Sequence, residues 1–269
     1  MLSTLTPQVC TLARSVGDYL RTERLNLNAV NSESKGIHDY VTAFDKESER
    51  RIVACLQDLL PESGFIAEEG TAGHSGHEPY LWIVDPLDGT TNYIHGLPVT
   101  CVSIGLWQNY GDGRGRMVMG VIYELWAQEC FYAYEGGGGA FLNGRRIHVS
   151  QPAHMNDSLI ATGFPYTNFS RMSQYMHLLE WTMRNTHGVR RLGSAAADLA
   201  YVACGRVDGF YEYDLKPYDV AAGAFIVQQA GGSVCDFSGG DNWLFGREIV
   251  AANANLFTEF SQVISSYLA

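Results

Sequence analysis

The sequence predicts a layered α/β protein (α/β with an α+β first part), folded as a single domain over residues 1–269. Three observations support this class. Two helical patterns precede every strand pattern, a run of strands joined by short glycine-rich turns follows, and helices and strands alternate after about residue 150. No internal repeat or long linker separates the two subregions, about 1–150 (α+β) and about 151–269 (α/β), so we expect them to share one cleft.

Apolar residues at helical spacing predict two helices at the start of the chain. The first is expected to begin at Thr6 and Pro7, as a cap and a first turn, and to continue through Leu20. The second is expected to start at Asp45 and to end before Pro61.

Short apolar runs bounded by turn residues predict the strands of the first subregion, which are Phe65–Glu68, Leu81–Val84, Cys101–Trp107, Met117–Tyr123 and Cys130–Tyr134. Gly136 to Gly139 is predicted to be a hairpin connection, because it lacks the flanking strand and helix of a phosphate loop. In the second subregion the predicted helices are Ser170–Asn185, Ser194–Cys204, Asp219–Ala230 and Phe257–Leu268, and the predicted strands are Val207–Tyr213 and Ile249–Ala252.

Composition narrows the class of protein. A chain of 269 residues with 46% hydrophobic residues can bury a large core. Its formal net charge of -11 argues against direct nucleic-acid binding, and an acidic protein that acts on an anionic substrate would need metal ions to reverse the local potential. The six cysteines form no Cys-x-x-Cys pair, and no apolar run is long enough to span a bilayer. We therefore expect a cytoplasmic protein with reduced cysteines and no membrane association.

The most informative segment is Val-Asp-Pro-Leu-Asp-Gly-Thr-Thr-Asn-Tyr, which begins at Val84. It ends a predicted buried strand, so Asp85 and Asp88 project where open α/β sheets bind ligands. Two carboxylates and the carbonyl of Leu87 can supply oxygen ligands to one or two divalent cations. The amides near Thr90, at a predicted helix start, suit a phosphate group. An ordinary turn with a helix cap is the alternative.

Other acidic residues could complete such a site. Glu68-Glu69 closes a predicted strand that would bring one of the two acids to the sheet edge of Asp85, although solvated loop residues are the alternative. Asp219 stands at a predicted helix start, where it can cap the helix, face a metal, or do both. Glu212 ends a predicted strand and could accept hydrogen bonds from substrate hydroxyls, or it could be an exposed acid.

A second helix start is predicted at Gly193-Ser194-Ala195-Ala196, directly after Arg190-Arg191. Free amides beside positive charge could hold a substrate oxygen, and a tight turn of small residues is the alternative. Asp45 likewise has an interpretation as a helix cap as well as a catalytic one.

Four motifs recur in one order: Glu68-Glu69, Asp85-Pro86-Leu87-Asp88-Gly89-Thr90-Thr91-Asn92-Tyr93, Gly193-Ser194-Ala195-Ala196 and Tyr218-Asp219-Val220-Ala221-Ala222-Gly223. In this order and spacing they closely resemble the inositol monophosphatase family, over roughly residues 35–232. The resemblance implies a layered αβαβα sandwich of the inositol monophosphatase and fructose-1,6-bisphosphatase type, usually a homodimer. It also implies lithium-sensitive hydrolysis of a phosphate monoester with two or three Mg²⁺ ions, for which Mn²⁺ can substitute.

The same resemblance assigns roles to matching positions. The metal ligands would be Glu69, Asp85, the Leu87 carbonyl, Asp88 and Asp219. The catalytic residues would be Glu69 and Thr90, which orient the attacking water, with Asp45 beside a weaker metal and Lys35. The substrate would be bound by Leu87, Asp88, Gly89, Thr90, Arg190, Gly193, Ser194, Ala195, Glu212 and Asp219.

Departures from the family pattern are small. Tyr218 replaces the commoner Trp, Ala67 replaces a Gly, and the loop from Lys35 to Asp39 is about one residue shorter than in animal members. None removes a metal ligand, but they could alter the third metal site and the substrate preference.

The pair Thr91-Asn92 after Asp-Gly-Thr resembles the inositol branch of the family, so we expect an inositol-1-monophosphatase. The alternatives within the superfamily are a fructose-1,6-bisphosphatase or an NADP(H) phosphatase. An alternative of another class is a binding partner of the transcription machinery, as known for some bacterial members. The intact set of carboxylates favours an active enzyme.

Overall fold

The computed structural model describes residues 1–24, 32–34, 40–111 and 113–269, with only the backbone described for 32–34 and 40–42. In chain order the elements are α1 Leu2–Arg24, β1 Ser32–Ser34, β2 Tyr40–Thr42, α2 Ala43–Leu59, β3 Ser63–Ala67, β4 Tyr80–Asp88, α3 Thr90–His95, β5 Cys101–Asn109, β6 Gly115–Glu124, β7 Glu129–Tyr134, β8 Ala140–Leu142, β9 Arg145–Ile147, β10 Leu159–Thr162, α4 Met172–Asn185, β11 Gly188–Arg190, α5 Ala195–Ala203, β12 Gly209–Tyr213, α6 Pro217–Gln229, β13 Gly232–Cys235, β14 Glu248–Asn253 and α7 Phe257–Leu268. A 3₁₀ turn spans Met155–Asp157.

Two larger sheets carry most of the strands. The first has the order β3-β4-β5-β6-β7-β8-β9, in which β3 and β4 are parallel and the remaining pairs are antiparallel. The second has the order β11-β10-β12-β14-β13, with β10 parallel to both β11 and β12. The short strands β1 and β2 form a separate antiparallel pair.

Helices cover both sheets in five layers. Helices α1 and α2 pack on one face of the first sheet, α5 and α6 lie between the two sheets, and α4 and α7 cover the outer face of the second sheet. Three buried apolar clusters fill the spaces between these layers. The predicted layered α/β class and the αβαβα order implied by the resemblance are therefore confirmed.

Helix α6 lies unusually close to the first sheet. A β-carbon at Gly120 of β6 would collide with the backbone of Ala222, so glycine is required for this approach. The segment from Val220 to Val227 is buried throughout, because it packs against strands of both sheets. This close packing fixes where the first turn of α6 can lie.

Several predicted boundaries were wrong. Helix α1 begins at Leu2 rather than at Thr6, and it includes Pro7, which has no N–H for the helical hydrogen bond to the Ser3 carbonyl. Helix α6 begins at Pro217, two residues before the predicted Asp219. Strands as short as β8, β9 and β11 were not predicted, because three residues show no period. Among the helices of the described ranges, none has both the length and the apolar composition of a membrane span.

Candidate active site

The first carboxylates of the site stand where the pairing of β3 with β4 ends. The two strands are parallel and their last pair is Ala67 with Val84, so Glu68 and Asp85 are the next residues at this edge. The Glu68 N–H donates to the Val84 carbonyl at 3.2 Å. Of the Glu68-Glu69 pair, Glu68 lines the cleft described below.

A β-bulge explains how Asp85 and Asp88 act together. Side chains three positions apart on a regular strand point to opposite faces of the sheet. Here Asp85 pairs with Ser103 and Asp88 with Cys101, so β4 has one extra residue between the two pairs. The bulge brings both carboxylates to one side, and the Leu87 N–H donates to Asp85 Oδ1 at 2.9 Å.

The third carboxylate comes from the first turn of α6. Asp219 Oδ2 accepts the Lys216 backbone N–H at 2.6 Å, so this acid does cap the helix, as predicted, although from its third position. The Tyr218 carbonyl accepts from Ser103 Oγ at 3.3 Å, which places the helix start beside the partner of Asp85. Oxygen atoms of Asp85, Asp88 and Asp219 all lie within 4.8 Å of one another.

Asp88 joins this cluster to the second subregion. Its Oδ2 accepts hydrogen bonds from Ser194 Oγ and from the Ala196 N–H, both at 2.6 Å. Ser194, at the predicted helix start, is the N-cap of α5, and its Oγ accepts from the Ala197 N–H at 3.2 Å. The carboxylate therefore sits on the positive end of α5 while its backbone belongs to β4.

Burial and mutual repulsion raise the pKa values of these three carboxyl groups. Burial raises the pKa of Asp85 well above its usual range, and the nearby charge of Glu68 raises it further. Burial raises the pKa of Asp88 to about 6, although the hydrogen bond from Ser194 opposes this change. The pKa of Asp219 is also raised, first by burial and then by the charge of Asp88. A divalent cation would relieve this repulsion.

The donor set fits a hard cation. Every candidate atom is oxygen, which suits Mg²⁺ or Mn²⁺ better than zinc. The Leu87 carbonyl, which accepts from Thr90 Oγ1 at 3.0 Å, retains a second lone pair for a metal. Within the described ranges, this is the one group of three or more acidic, histidine or cysteine side chains close enough to hold a metal ion. His74 and His77 belong to no such group.

A cleft of about 170 Å³ opens on the cluster. The predicted residues that line it are Asp85, Leu87, Asp88, Gly89, Thr90, Gly193, Ser194, Ala195, Glu212 and Asp219. Further lining residues are Glu68, Thr91, Gly163–Thr167, Arg191, Tyr213–Lys216, Tyr218 and Arg247. Residues of both subregions thus line the cleft.

Glu212, at the end of β12, occupies a narrow position in this wall. A β-carbon at Gly163 would collide with its carboxylate, so a larger residue there would force the Glu212 side chain to move. Burial raises the pKa of Glu212 to about 8, while the positive charge of Arg191 lowers it. At neutral pH this carboxyl is therefore largely protonated, and it can donate as well as accept a hydrogen bond.

Three of the predicted site residues that the structure describes do not line this cleft. Glu69 is absent from the cleft lining, and its N–H donates to Glu49 Oε2 at 2.7 Å. Asp45 is buried in the first turn of α2 and is not among the lining residues, and Arg190 is exposed at the end of β11. Their roles stay predictions, and Lys35 falls outside the described residues.

Sequence reasoning missed Glu49, which holds the loop after β3. It is fully buried on α2, and its carboxylate accepts from the Glu69 N–H and from the N–H and Oγ1 of Thr71, at 2.7–2.8 Å. A signal was present, because Glu49 lies three residues before Ile52 and seven before Leu56, on the buried stripe of the helix.

Asn92 has a structural role that the sequence did not indicate. It is buried, and its Nδ2 donates to the Val99 carbonyl at 2.9 Å and to the Leu192 carbonyl at 2.8 Å. It therefore ties α3 to the turn before α5.

Comparison with known proteins points to one family. A family model described as the inositol monophosphatase family matches residues 1–267. The putative Nus factor SuhB of Neisseria meningitidis serogroup B is 40% identical over 256 residues, which cover 95% of this chain and 96% of that protein. The inositol-1-monophosphatase of Mesorhizobium japonicum is 43% identical over 219 residues, or 81% of this chain and 80% of that protein.

A solved structure shows the same fold. The crystal structure of the extragenic suppressor protein suhB of Bartonella henselae has a TM-score of 0.88 and 37% identity, and the match covers 97% of this chain and 98% of that one. Because the family match spans nearly the whole chain and its acidic motifs meet in one cleft, the chain belongs to the inositol monophosphatase family.

Proposed function

We propose that this protein is a Mg²⁺-dependent phosphate-monoester hydrolase whose preferred substrate is a myo-inositol monophosphate. The observation that carries the proposal is the cluster of Asp85, Asp88 and Asp219 at the floor of a cleft sized for a small phosphate ester. Dependence on Mg²⁺ is general in the family. The inositol ring is supported by the name of the Mesorhizobium japonicum relative.

Different residues of the cleft would hold the cations and orient the attacking water. When bound, the cations would lower the pKa of a coordinated water and stabilise the leaving oxygen. Asp85, Asp88 and Asp219 would hold them, together with the Leu87 carbonyl. We assign orientation of the attacking water to Thr90 and Glu68, since Glu68 rather than Glu69 lines the cleft.

Other residues of the cleft would bind the phosphate and the polyol of the substrate. Gly89 and Thr90 amides at the start of α3 would hold the phosphate, as the resemblance implies. Glu212 would accept hydrogen bonds from ring hydroxyls, and in its protonated form it would also donate to them. Burial raises the pKa of this carboxyl to about 8.

A phosphate-release assay over a range of Mg²⁺ concentrations tests this proposal. The substrates are myo-inositol 1-phosphate, fructose 1,6-bisphosphate, NADP⁺ and glycerol 2-phosphate, each with and without Li⁺. We expect the highest kcat/KM with the inositol phosphate, and inhibition by Li⁺. Equal turnover of all four would refute the inositol assignment and leave the phosphatase class intact, whereas no release from any of them would refute both.

A second candidate function rests on the relatives named Nus factor SuhB, which include the Neisseria meningitidis protein. It is binding to the transcription machinery, either alone or beside catalysis. Pull-down with purified elongation-complex components separates the two, because an Asp219→Asn variant would lose hydrolysis and keep binding.

We also propose a homodimer, as the family resemblance implies. Supporting this, Met176 and Met183 lie seven residues apart on α4, on one face, and both are about half exposed. Light scattering on the purified protein would give the mass of a dimer, and Met176→Glu with Met183→Glu would shift it to that of one chain.

A further inference from the structure

Residues 163–171, which we call the wall segment, connect β10 to α4, and the first five of them line the cleft. Three aromatic side chains of this segment remain exposed, by 37% at Phe164, 39% at Tyr166 and 51% at Phe169. Side chains that stay in contact with water contribute little hydrophobic free energy to hold the chain in place. The Tyr166 hydroxyl accepts from Arg191 Nη2 at 2.8 Å. The position of the wall segment therefore depends largely on polar contacts.

One carboxylate holds the middle of the wall segment. Asp214, which directly follows β12, accepts on Oδ2 from the Thr167 N–H at 3.0 Å, from Thr167 Oγ1 at 2.7 Å and from the Asn168 N–H at 2.9 Å. Its Oδ1 pairs with Arg247, and its side chain is only 2% exposed. Burial acts to raise the pKa of Asp214, but the hydrogen bonds from Thr167 and Asn168 outweigh burial and lower that pKa. The charged carboxylate is thus the form that binds the segment.

The backbone supports a specific role for the side chain at position 214. The φ angle is 71° at Asp214 and 66° at Arg247, in the left-handed region that residues other than glycine seldom occupy. Both residues lie at one end of the β12–β14 pair, where Tyr213 is opposite Glu248. A glycine would adopt this conformation at lower cost, but it would leave the wall segment without its acceptor.

The two ends of the wall segment are held separately. At its start, the Gly163 carbonyl accepts from the Tyr175 hydroxyl at 2.7 Å. At its end, Arg171 Nη1 donates to Glu248 Oε2 at 2.6 Å. Between these fixed ends, Asp214 binds the stretch in which the segment leaves the cleft wall.

We propose that Asp214 is a positioning residue that acts through Thr167 and Asn168 to hold the wall segment in the position that binds substrate. The inference rests on the proposed function, because the segment bounds the cleft of the same hydrolysis. A wall that is already in place adds no ordering cost to substrate binding, whereas a released wall must be ordered again at each binding event. Loss of these hydrogen bonds should therefore weaken substrate binding and leave the metal cluster and the chemical step unaffected.

Asp236 offers a matched control. Its Oδ1 accepts from the Ser238 N–H at 3.0 Å, from Ser238 Oγ at 2.7 Å and from the Gly240 N–H at 2.7 Å, which is the same pattern of partners. Asp236 is not among the residues that line the described cleft. Its replacement should therefore cost comparable stability without an effect on substrate binding.

The test compares Asp214→Asn with Asp236→Asn in the whole chain. Asparagine tolerates the left-handed conformation, so Asp214→Asn removes the charge and keeps the backbone. We expect this variant to raise KM for myo-inositol 1-phosphate about 3- to 30-fold, because charge-assisted hydrogen bonds are lost, with kcat within about twofold. Amide hydrogen exchange at residues 163–171 should become faster. Thr167→Ala removes one of the three hydrogen bonds and should give a smaller rise in KM.

Asp236→Asn should lower the melting temperature by a similar amount and change neither KM nor the exchange of residues 163–171. Should Asp214→Asn fail to fold in thermal unfolding, Thr167→Ala decides by the same two measurements. Equal KM in the Asp214 and Asp236 variants, or wild-type exchange rates at residues 163–171 in Asp214→Asn, would overturn the inference alone. A wild-type protein that released no phosphate would overturn the proposed function, and the assigned effect on substrate binding with it.

Discussion

Replacing Glu49 with glutamine tests how the loop that carries Glu68 is held. The carboxylate accepts three hydrogen bonds, two from Thr71 on Oε1 and one from the Glu69 N–H on Oε2. An amide oxygen can still serve Thr71, but the NH₂ group would then face the Glu69 N–H, donor against donor. One hydrogen bond to a charged acceptor is lost and one N–H is left unsatisfied. We expect a loss of about 1.5–3 kcal/mol in the free energy of unfolding.

For a domain of this size, that loss corresponds to a fall of roughly 3–12 °C in the melting temperature. The loop that follows β3 also positions Glu68 at the cleft, so the Mg²⁺ concentration for half-maximal activity should rise. Calorimetric titration with Mn²⁺ provides a readout that does not depend on turnover. Both quantities should move together.

Glu47 on the same helix is the matched control. It pairs with Arg51 at 2.9 Å on the surface, where such pairs contribute little. Glu47→Gln should change the melting temperature by about 1–2 °C or less and leave metal binding unaltered. If Glu49→Gln behaved like Glu47→Gln in both measurements, the idea that Glu49 positions the loop would be refuted.

Three further predictions follow from the charges in the cleft. Asp88→Asn should lower kcat by at least about 100-fold, since it removes a negative charge that would bind the cations. The circular dichroism spectrum should stay unchanged, because the amide oxygen still accepts from Ser194. In EDTA, the melting temperature should fall from pH 5 to pH 8, and Mg²⁺ should reduce this fall; an EDTA profile that rises over this range would contradict it. The sign follows from folded-state pKa values of about 6 for Asp88 and about 8 for Glu212, both raised, so stability present at low pH is lost as each group ionises. Asp198 is buried with no hydrogen-bond partner on either oxygen within the described chain, and burial raises its pKa. Asp198→Asn should therefore raise the melting temperature, and the rise should be larger at pH 8 than at pH 5. Equal rises at the two pH values would exclude an ionic cause.

Strand polarity made the centre of the site predictable. Asp85 follows a strongly apolar strand, and a chain that leaves a buried strand must place its next polar residues at the sheet edge. The same reasoning allowed either Glu68 or Glu69 to join it. The pairing of Ala67 with Val84 decides the register, and register depends on contacts between strands that a single sequence does not display.

Adjacent charged residues show the limit of such reasoning. Arg190 ends a three-residue strand and Arg191 follows it, and this strand is too short for alternation to reveal which side chain faces the cleft. In α2, Glu49 is buried and Glu47 is partly exposed, although similar residues surround both in the sequence. The two acids differ only in the face of the helix on which they lie, so an acidic residue on the apolar stripe is the signal of a buried carboxylate.

Asp88 explains why the two subregions cannot supply the site separately. Its backbone ends β4 in the first sheet, and its carboxylate caps α5, which packs between the sheets. Repulsion from Asp85 and Asp219 pulls against this placement as long as the charges are uncompensated, as their raised pKa values indicate. A cation that bound all three would remove the repulsion and strengthen the junction at once. Metal binding and the packing of α5 on the first sheet should therefore stabilise each other, because both act through one carboxylate.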